Sequence, residues 1–184
     1  AIAAAGLKVN NNGSVTCGGA GDVIITDGNL TVANGHGIDF ASAGNASGMS
    51  SELLDDYEEG SCTLQYSDAS TLVGASNTGN YTKVGRQVTV TGYIGVVNID
   101  ALTNSSALLI AGFPFAATSD ATFSFFSRFV NTPDNTINIV GYLPNSDTAA
   151  NLYAMIDNAA YQAIICGNVG NSNDLYFACT YTAS

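Results

Sequence analysis

Tryptophan is missing from this 184-residue chain, histidine occurs once and proline three times. Charge is scarce as well. Four basic residues, Lys8, Lys83, Arg86 and Arg128, stand against fifteen acids, and charged side chains make up 10% of the composition, against roughly 25% in an ordinary soluble domain. Each scarcity excludes something. Four scattered cations in a chain of net charge −11 cannot neutralise a run of phosphates, so no nucleic-acid partner is expected. The same balance disfavours anionic membrane surfaces, and no apolar run reaches the roughly 20 residues that span a bilayer. The single histidine, His36, lies in the turn Asn34-Gly35-His36-Gly37. Nucleophilic catalysis of the serine type needs a base, and the only histidine sits in this turn of the thin N-terminal region, so no triad is visible. One histidine and the cysteines Cys17, Cys62, Cys166 and Cys179, with no CxxC pair, match no transition-metal ligand spacing.

What is abundant is Asn, Thr, Ser, Gly and Ala, so solubility must rest on neutral polar groups. The length suits one domain plus an extension. The opening Ala1-Ile2-Ala3-Ala4-Ala5-Gly6 has no basic region and too short an apolar stretch for a signal peptide, so a mature start and synthesis in the cytoplasm are expected. The cysteines are expected to be free thiols; Cys166 and Cys179 on neighbouring strands, bridged in an oxidising compartment, are the alternative.

Residues 7–40 alternate short β-type runs (7–9, 14–17, 22–26, 30–33 and 37–40) with Gly/Asn/Asp turn signals. Runs this short carry too few large side chains to bury a core alone. The expectation is a β stem that packs against identical copies, with an arm folded over the main domain as the alternative. Residues 41–48 read as a Gly/Ser/Ala/Asn linker. Residues 49–59 (MSSELLDDYEE) are the one helix candidate, with Ser50 or Ser51 as N-cap and Gly60 at the end. Residues 81–97 read as a hairpin broken at Gly85-Arg86, with Val84, Val88, Val90, Ile94 and Val96 on one face and Lys83, Gln87, Thr89, Thr91 and Tyr93 on the other. Strands are expected at 107–111, 122–130, 137–143, 152–156, 161–166 and 175–181. The stretch 152–160 has helical propensity as well. The fold class is therefore all-β: an N-terminal stem and linker (1–48), then a jelly-roll-like antiparallel β-sandwich head with a short helix at its start (49–184).

Two groups of side chains invite a functional reading. Asp55, Asp56, Glu58 and Glu59 could hold a hard cation, but they lack the alternation of a Ca²⁺ loop and read as a solvated acidic face. Tyr66, Tyr81, Tyr93, Tyr142, Tyr153, Tyr161, Tyr176 and Tyr181, with Asn and Ser around them, suit either adaptable contact surfaces or core packing; Phe123, Phe125 and Phe126 read as core or interface. No catalytic, cofactor-binding or metal-ligating residue is assigned. Paired carboxylates of a polysaccharide-degrading enzyme remain a remote alternative.

Four stretches resemble a module of virion appendages of tailed phages from marine and freshwater bacteria: Gly35-His36-Gly37-Ile38-Asp39-Phe40, Ser50-Ser51-Glu52-Leu53-Leu54-Asp55-Asp56-Tyr57-Glu58-Glu59-Gly60, Tyr81-Thr82-Lys83-Val84-Gly85-Arg86-Gln87-Val88 and Ile110-Ala111-Gly112-Phe113-Pro114-Phe115. After Gly60 that module usually carries a Thr-Trp-Thr-Pro-like segment, where this chain has Ser61-Cys62-Thr63-Leu64. The resemblance covers roughly residues 23–115 and implies a homotrimer with a β head on a short stem and no catalytic residues. The expected role is a non-enzymatic capsid decoration (cement or head-fibre) protein at the virion surface. A short tail fibre or receptor-binding appendage is the alternative, and a polysaccharide-binding protein a remoter one. The partners implied are two further copies of the chain, a major capsid or tail protein reached through the N-terminal region, and a host-surface glycan.

Overall fold

The computed structural model describes residues 24–33, 36–40, 47, 53–74, 77–95 and 98–184. The chain divides into two compact units, Ala1–Asn34 and Gly35–Ser184. In the first, residues 24–33 form no strand, which corrects the β runs expected at 22–26 and 30–33 within their described part. These runs are only a few residues long and are separated by Gly28, at φ +117°. A strand needs a partner to satisfy its backbone groups. The runs expected at 7–9 and 14–17, and the linker at 41–48 apart from Ser47, lie outside the described residues.

The second unit is built from β1 (Ile38–Asp39), β2 (Leu53–Leu54), β3 (Tyr57–Thr63), β4 (Gln65–Ser67), β5 (Leu72–Val73), β6 (Thr78–Val84), β7 (Gln87–Gly95), β8 (Leu109–Ala111), β9 (Ala121–Val130), β10 (Thr136–Leu143), β11 (Ala149–Ile156), β12 (Gln162–Ala163) and β13 (Val169–Thr182), with one 3-10 turn at Cys166–Asn168. β1 and β2 pair with each other. The remaining strands make one antiparallel ladder in the order β3-β6-β7-β13-β9-β10-β11-β8-β4-β5, with β12 beside β11. The all-β, sandwich-like head expected from the sequence is thus present as a curled antiparallel sheet.

What curls the sheet is one bent hairpin. β3 runs through Leu64 into β4, and β5 returns into β6, so the same two arms supply both ends of the ladder. At the bend the Leu64 amide donates to the Asn77 carbonyl at 3.1 Å, and the fully buried Leu64 side chain turns inward. Two glycines make room for it. A methyl group at Gly79 would come within 2.8 Å of Leu64 Cδ1, and one at Gly92 would overlap Leu64 Cδ1 and lie 2.7 Å from the Phe177 ring. Around Leu64 the inward positions of the long strands alternate as period two demands: Val88, Val90 and Ile94 on β7, Phe123 and Phe125 on β9, and Leu175, Phe177, Cys179 and Tyr181 on β13. Phe113, in the fourth resemblance stretch, closes an aromatic group with Phe123, Phe177 and Tyr181 at centroid distances of 5.8–6.1 Å.

Two expectations are corrected here. The helix expected at 49–59 is not formed in its described part, 53–59: Leu53–Leu54 pairs with β1, and residues 57–59 open the seven-residue ladder with β6; residues 49–52 lie outside the described residues. Leu53, Leu54 and Tyr57 offer too narrow an apolar stripe to hold so short a helix. The ladder adds the Lys83–Asp56 ion pair and a hydrogen bond from the Tyr81 hydroxyl to Glu58. The hairpin at Gly85-Arg86 is present, but the two faces of β6 are exchanged. A two-residue turn with Gly85 at φ +55° sets Lys83 opposite Val88 and Val84 opposite Gln87. Directly opposed residues share a face, so Lys83 is buried and Val84 exposed. Lys83 is accommodated by Asp56 and by the Phe115 ring, 5.4 Å from its ammonium. The stretch from residue 152 resolves as strand, with Leu152 and Ala154 inward.

If Leu64 and the hollow form one unit, Leu64→Ala lowers stability by about 2–5 kcal/mol and Gly92→Ala by about 1–3 kcal/mol. The two changes together cost clearly less than their sum in urea titrations at unchanged m-value, because each relieves the other. Strict additivity would refute a shared hollow.

Candidate functional site

The strand register that buries one set of side chains fixes the opposite set on the outer face. On β7, β13 and β9 it places Tyr93 opposite Tyr176 and Tyr176 opposite Phe126, a three-strand aromatic row. Tyr93 and Tyr176 stack at 4.4 Å with 27° between their planes, and Phe126 leans on Tyr176 at 6.2 Å and 44°. All three stay open to solvent, at 40%, 45% and 66% exposure. Beside the row lies a shallow depression of about 670 Å³, whose polar lining is the uncharged set Thr78, Asn80, Thr91 and Ser124. Gly92, Phe125, Phe177 and Ala178 also line it. The nearest charges are spent on each other: Arg128 pairs with the buried Asp174 in the adjoining β9–β13 register. Partial desolvation, with a hydrogen bond to Tyr176, raises the Tyr93 pKa, so its hydroxyl remains a donor at neutral pH.

A second aromatic group lies across β9. Tyr142, Tyr153 and Tyr161 surround a depression of about 340 Å³, with Tyr153 and Tyr161 edge to face at 4.8 Å. A hydrogen bond to Asp120 raises the Tyr142 pKa. Strand β9 serves both depressions, with Ser124 in the first and Thr122 in the second, and Ser124 is registered opposite Val140, which lines the second.

The other sequence candidates are dispersed. His36 is exposed. Of the acidic group, Asp56 holds Lys83, Glu58 accepts from Tyr81, and Glu59 accepts from Tyr57 at 2.5 Å. Among the described residues no three or more His, Cys, Asp or Glu converge as metal ligands. Cys62, Cys166 and Cys179 are free thiols, and Cys17 lies outside the described residues. Burial pushes Cys179 up to about 12 and raises Cys62 and Cys166, which makes all three poor nucleophiles. Of the tyrosines, Tyr66 and Tyr181 belong to the core, and Tyr81 packs edge-on against Phe115. Among the described residues no helix is long and apolar enough to cross a membrane.

One polar centre escaped the sequence reading. Asp68 accepts from the amides of Ser70 (3.0 Å), Thr71 (2.7 Å) and Thr103 (2.9 Å) and from the Ser70 hydroxyl (2.8 Å). It thereby ties the β4–β5 turn to the loop before β8. The Ser67-Asp68-Ala69-Ser70 run was the available signal, since an Asp among Ser residues favours such a turn.

With the geometry in hand, the comparisons with known proteins add no relative: no family model, no curated protein and no solved structure matches the chain.

Two predictions follow from these groups. The three amides, Thr103 foremost, hold the Asp68 carboxyl well below the usual carboxylate range. Its stabilising contribution is therefore fully present above its unfolded value of about 3.9 and is lost as the pH falls below it. Asp68→Asn should be less stable than the parent at pH 7, and the gap in urea midpoint should narrow steadily from pH 5 to pH 2; a gap independent of pH would contradict the assignment. At pH 8, N-ethylmaleimide should leave Cys179 unmodified in the native protein and label it in denaturant, as read by peptide mass.

Proposed function

We propose that this chain is a non-enzymatic structural subunit of a tailed-phage virion, working as a homotrimer whose N-terminal segment joins its copies and seats on the capsid while the β head faces outward. One observation carries the reading. From Ile24 to Leu54 the large apolar side chains of the described residues, Ile24, Ile25, Leu30, Val32, Ile38, Phe40, Leu53 and Leu54, are all exposed in the single chain, Ile24 by 76% and Leu30 by 67%. Leaving them in water gains nothing, and large apolar side chains exposed in both units suit burial against another chain. The same stretch carries the first motif of the phage-appendage resemblance and the start of the second. Many weak seats on a shell add up by avidity.

A second reading, a short fibre or other receptor-binding appendage, is favoured by a different observation: the exposed row Tyr93, Tyr176 and Phe126 beside an uncharged depression. The two readings share the trimer and differ in what the head meets.

In solution the chain should run at three times its 18.8 kDa by light scattering. Replacing Ile24, Leu30 and Val32 together by Asp should give monomers whose head keeps the parent's urea midpoint. A parent that is monomeric and folded at micromolar concentration would overturn the trimer. On virions, quantitative gels should show the protein at a copy number on the scale of the shell subunits; a handful per particle would select the tail.

A further inference from the structure

We infer that the outer-face depression beside Tyr93, Tyr176 and Phe126 is a binding site for an uncharged saccharide. A sugar ring lies on the aromatic row, and its hydroxyls bond to Asn80, Thr91 and Ser124. The inference deepens the receptor-binding reading by naming its ligand class. It rests on that reading for its use in infection, while binding itself requires no virion.

The chemistry of the lining selects the ligand. An anion would approach a chain of net charge −11 with no lining cation to meet it. A cation would find no lining carboxylate, because Asp174 is buried and already paired with Arg128. A purely apolar ligand would leave the Thr, Ser and Asn groups of an open depression without partners. A saccharide carries both halves of the complement. One face of C–H groups suits an exposed aromatic ring, and a rim of neutral hydroxyls can donate to or accept from the hydroxyls and amide beside it. The volume, about 670 Å³, falls within the range of small-molecule sites. The row is also rigid: three paired strands hold its spacing, so little ordering is lost on binding. Since β9 carries the surface on to the depression of Tyr142, Tyr153 and Tyr161, a chain of sugars can contact both.

The test is affinity electrophoresis of the full chain in native gels containing laminarin, xyloglucan or galactomannan, with anionic alginate as the contrast. Expected is retardation by at least one neutral polymer and none by alginate. Tyr176→Ala, which removes the middle ring and breaks up the row, should weaken that retardation about tenfold. Tyr176→Phe should keep most of it, and Tyr161→Ala should weaken it a few-fold. Ser124→Arg, which fills the depression without touching the stack, gives the same loss as Tyr176→Ala and serves if the latter fails to fold. Migration unchanged in every neutral gel, equal retardation by alginate, or parent-like binding by a folded Ser124→Arg would overturn the site. So would a Tyr176→Ala chain that turns from trimer to monomer, since the row would then be an interface between copies. A trimer that binds no saccharide removes this site alone; a saccharide-binding monomer removes the trimer alone.

Discussion

The head depends on a single side chain at a single bend. Leu64 sits where one hairpin leaves one end of the antiparallel ladder and joins the other, and it fits only because Gly79 and Gly92 leave a hollow opposite it. Were either glycine larger, Leu64 would have to leave its buried position, and β4 would lose its place beside β8. The bend that joins the two ends of the ladder thus rests on packing at one residue rather than on the backbone ladder alone.

The strands that hold the hollow also carry the outer face. Gly92 stands between Thr91 and Tyr93 on β7: it admits Leu64 on the inside, while the residues on either side of it line the depression on the outside. The stacked pair Tyr93–Tyr176 stands on that same outer face. The candidate site and the core thus share the strands β7, β9 and β13, whose pairing holds the site in place.

How much of this was legible in the sequence follows from the range of each interaction. Period-two runs announced β7, β9 and β10 nearly at their observed bounds and the C-terminal half of β13, because burial of one face writes itself into neighbouring residues. The inward turn of Lys83 was not legible. Alternation along β6 and β7 taken as one run put Val84 inside, whereas the two-residue turn fixes the register across it and carries Lys83 in opposite Val88. The strand at Tyr57–Thr63 was hidden because Leu53, Leu54 and Tyr57 also fit a helical face, and only pairing with β6 decides between them. The aromatic row was the least accessible. Tyr93 and Tyr176 meet through β7–β13 pairing, a contact between distant parts of the chain to which no local pattern points.

The scarcity of charge joins the assembly reading to the site. Of the four cations, Lys83 and Arg128 are engaged by Asp56 and Asp174, so the head meets its surroundings chiefly through hydroxyls, amides and aromatic rings. Contacts of that kind are short-ranged and individually modest, since each exchanges hydrogen bonds with water for equivalent ones. They gain neither the long reach nor the salt sensitivity of charge pairing. A protein that recognises its target in this way needs several sites acting at once. The proposed trimer, repeated over a particle, would raise the effective concentration of the second and third contacts without any new chemistry in the site. On the proposed reading the exposed apolar N-terminal segment and the neutral aromatic face would be two parts of one solution: the first would gather copies, and the second would become useful because they are gathered.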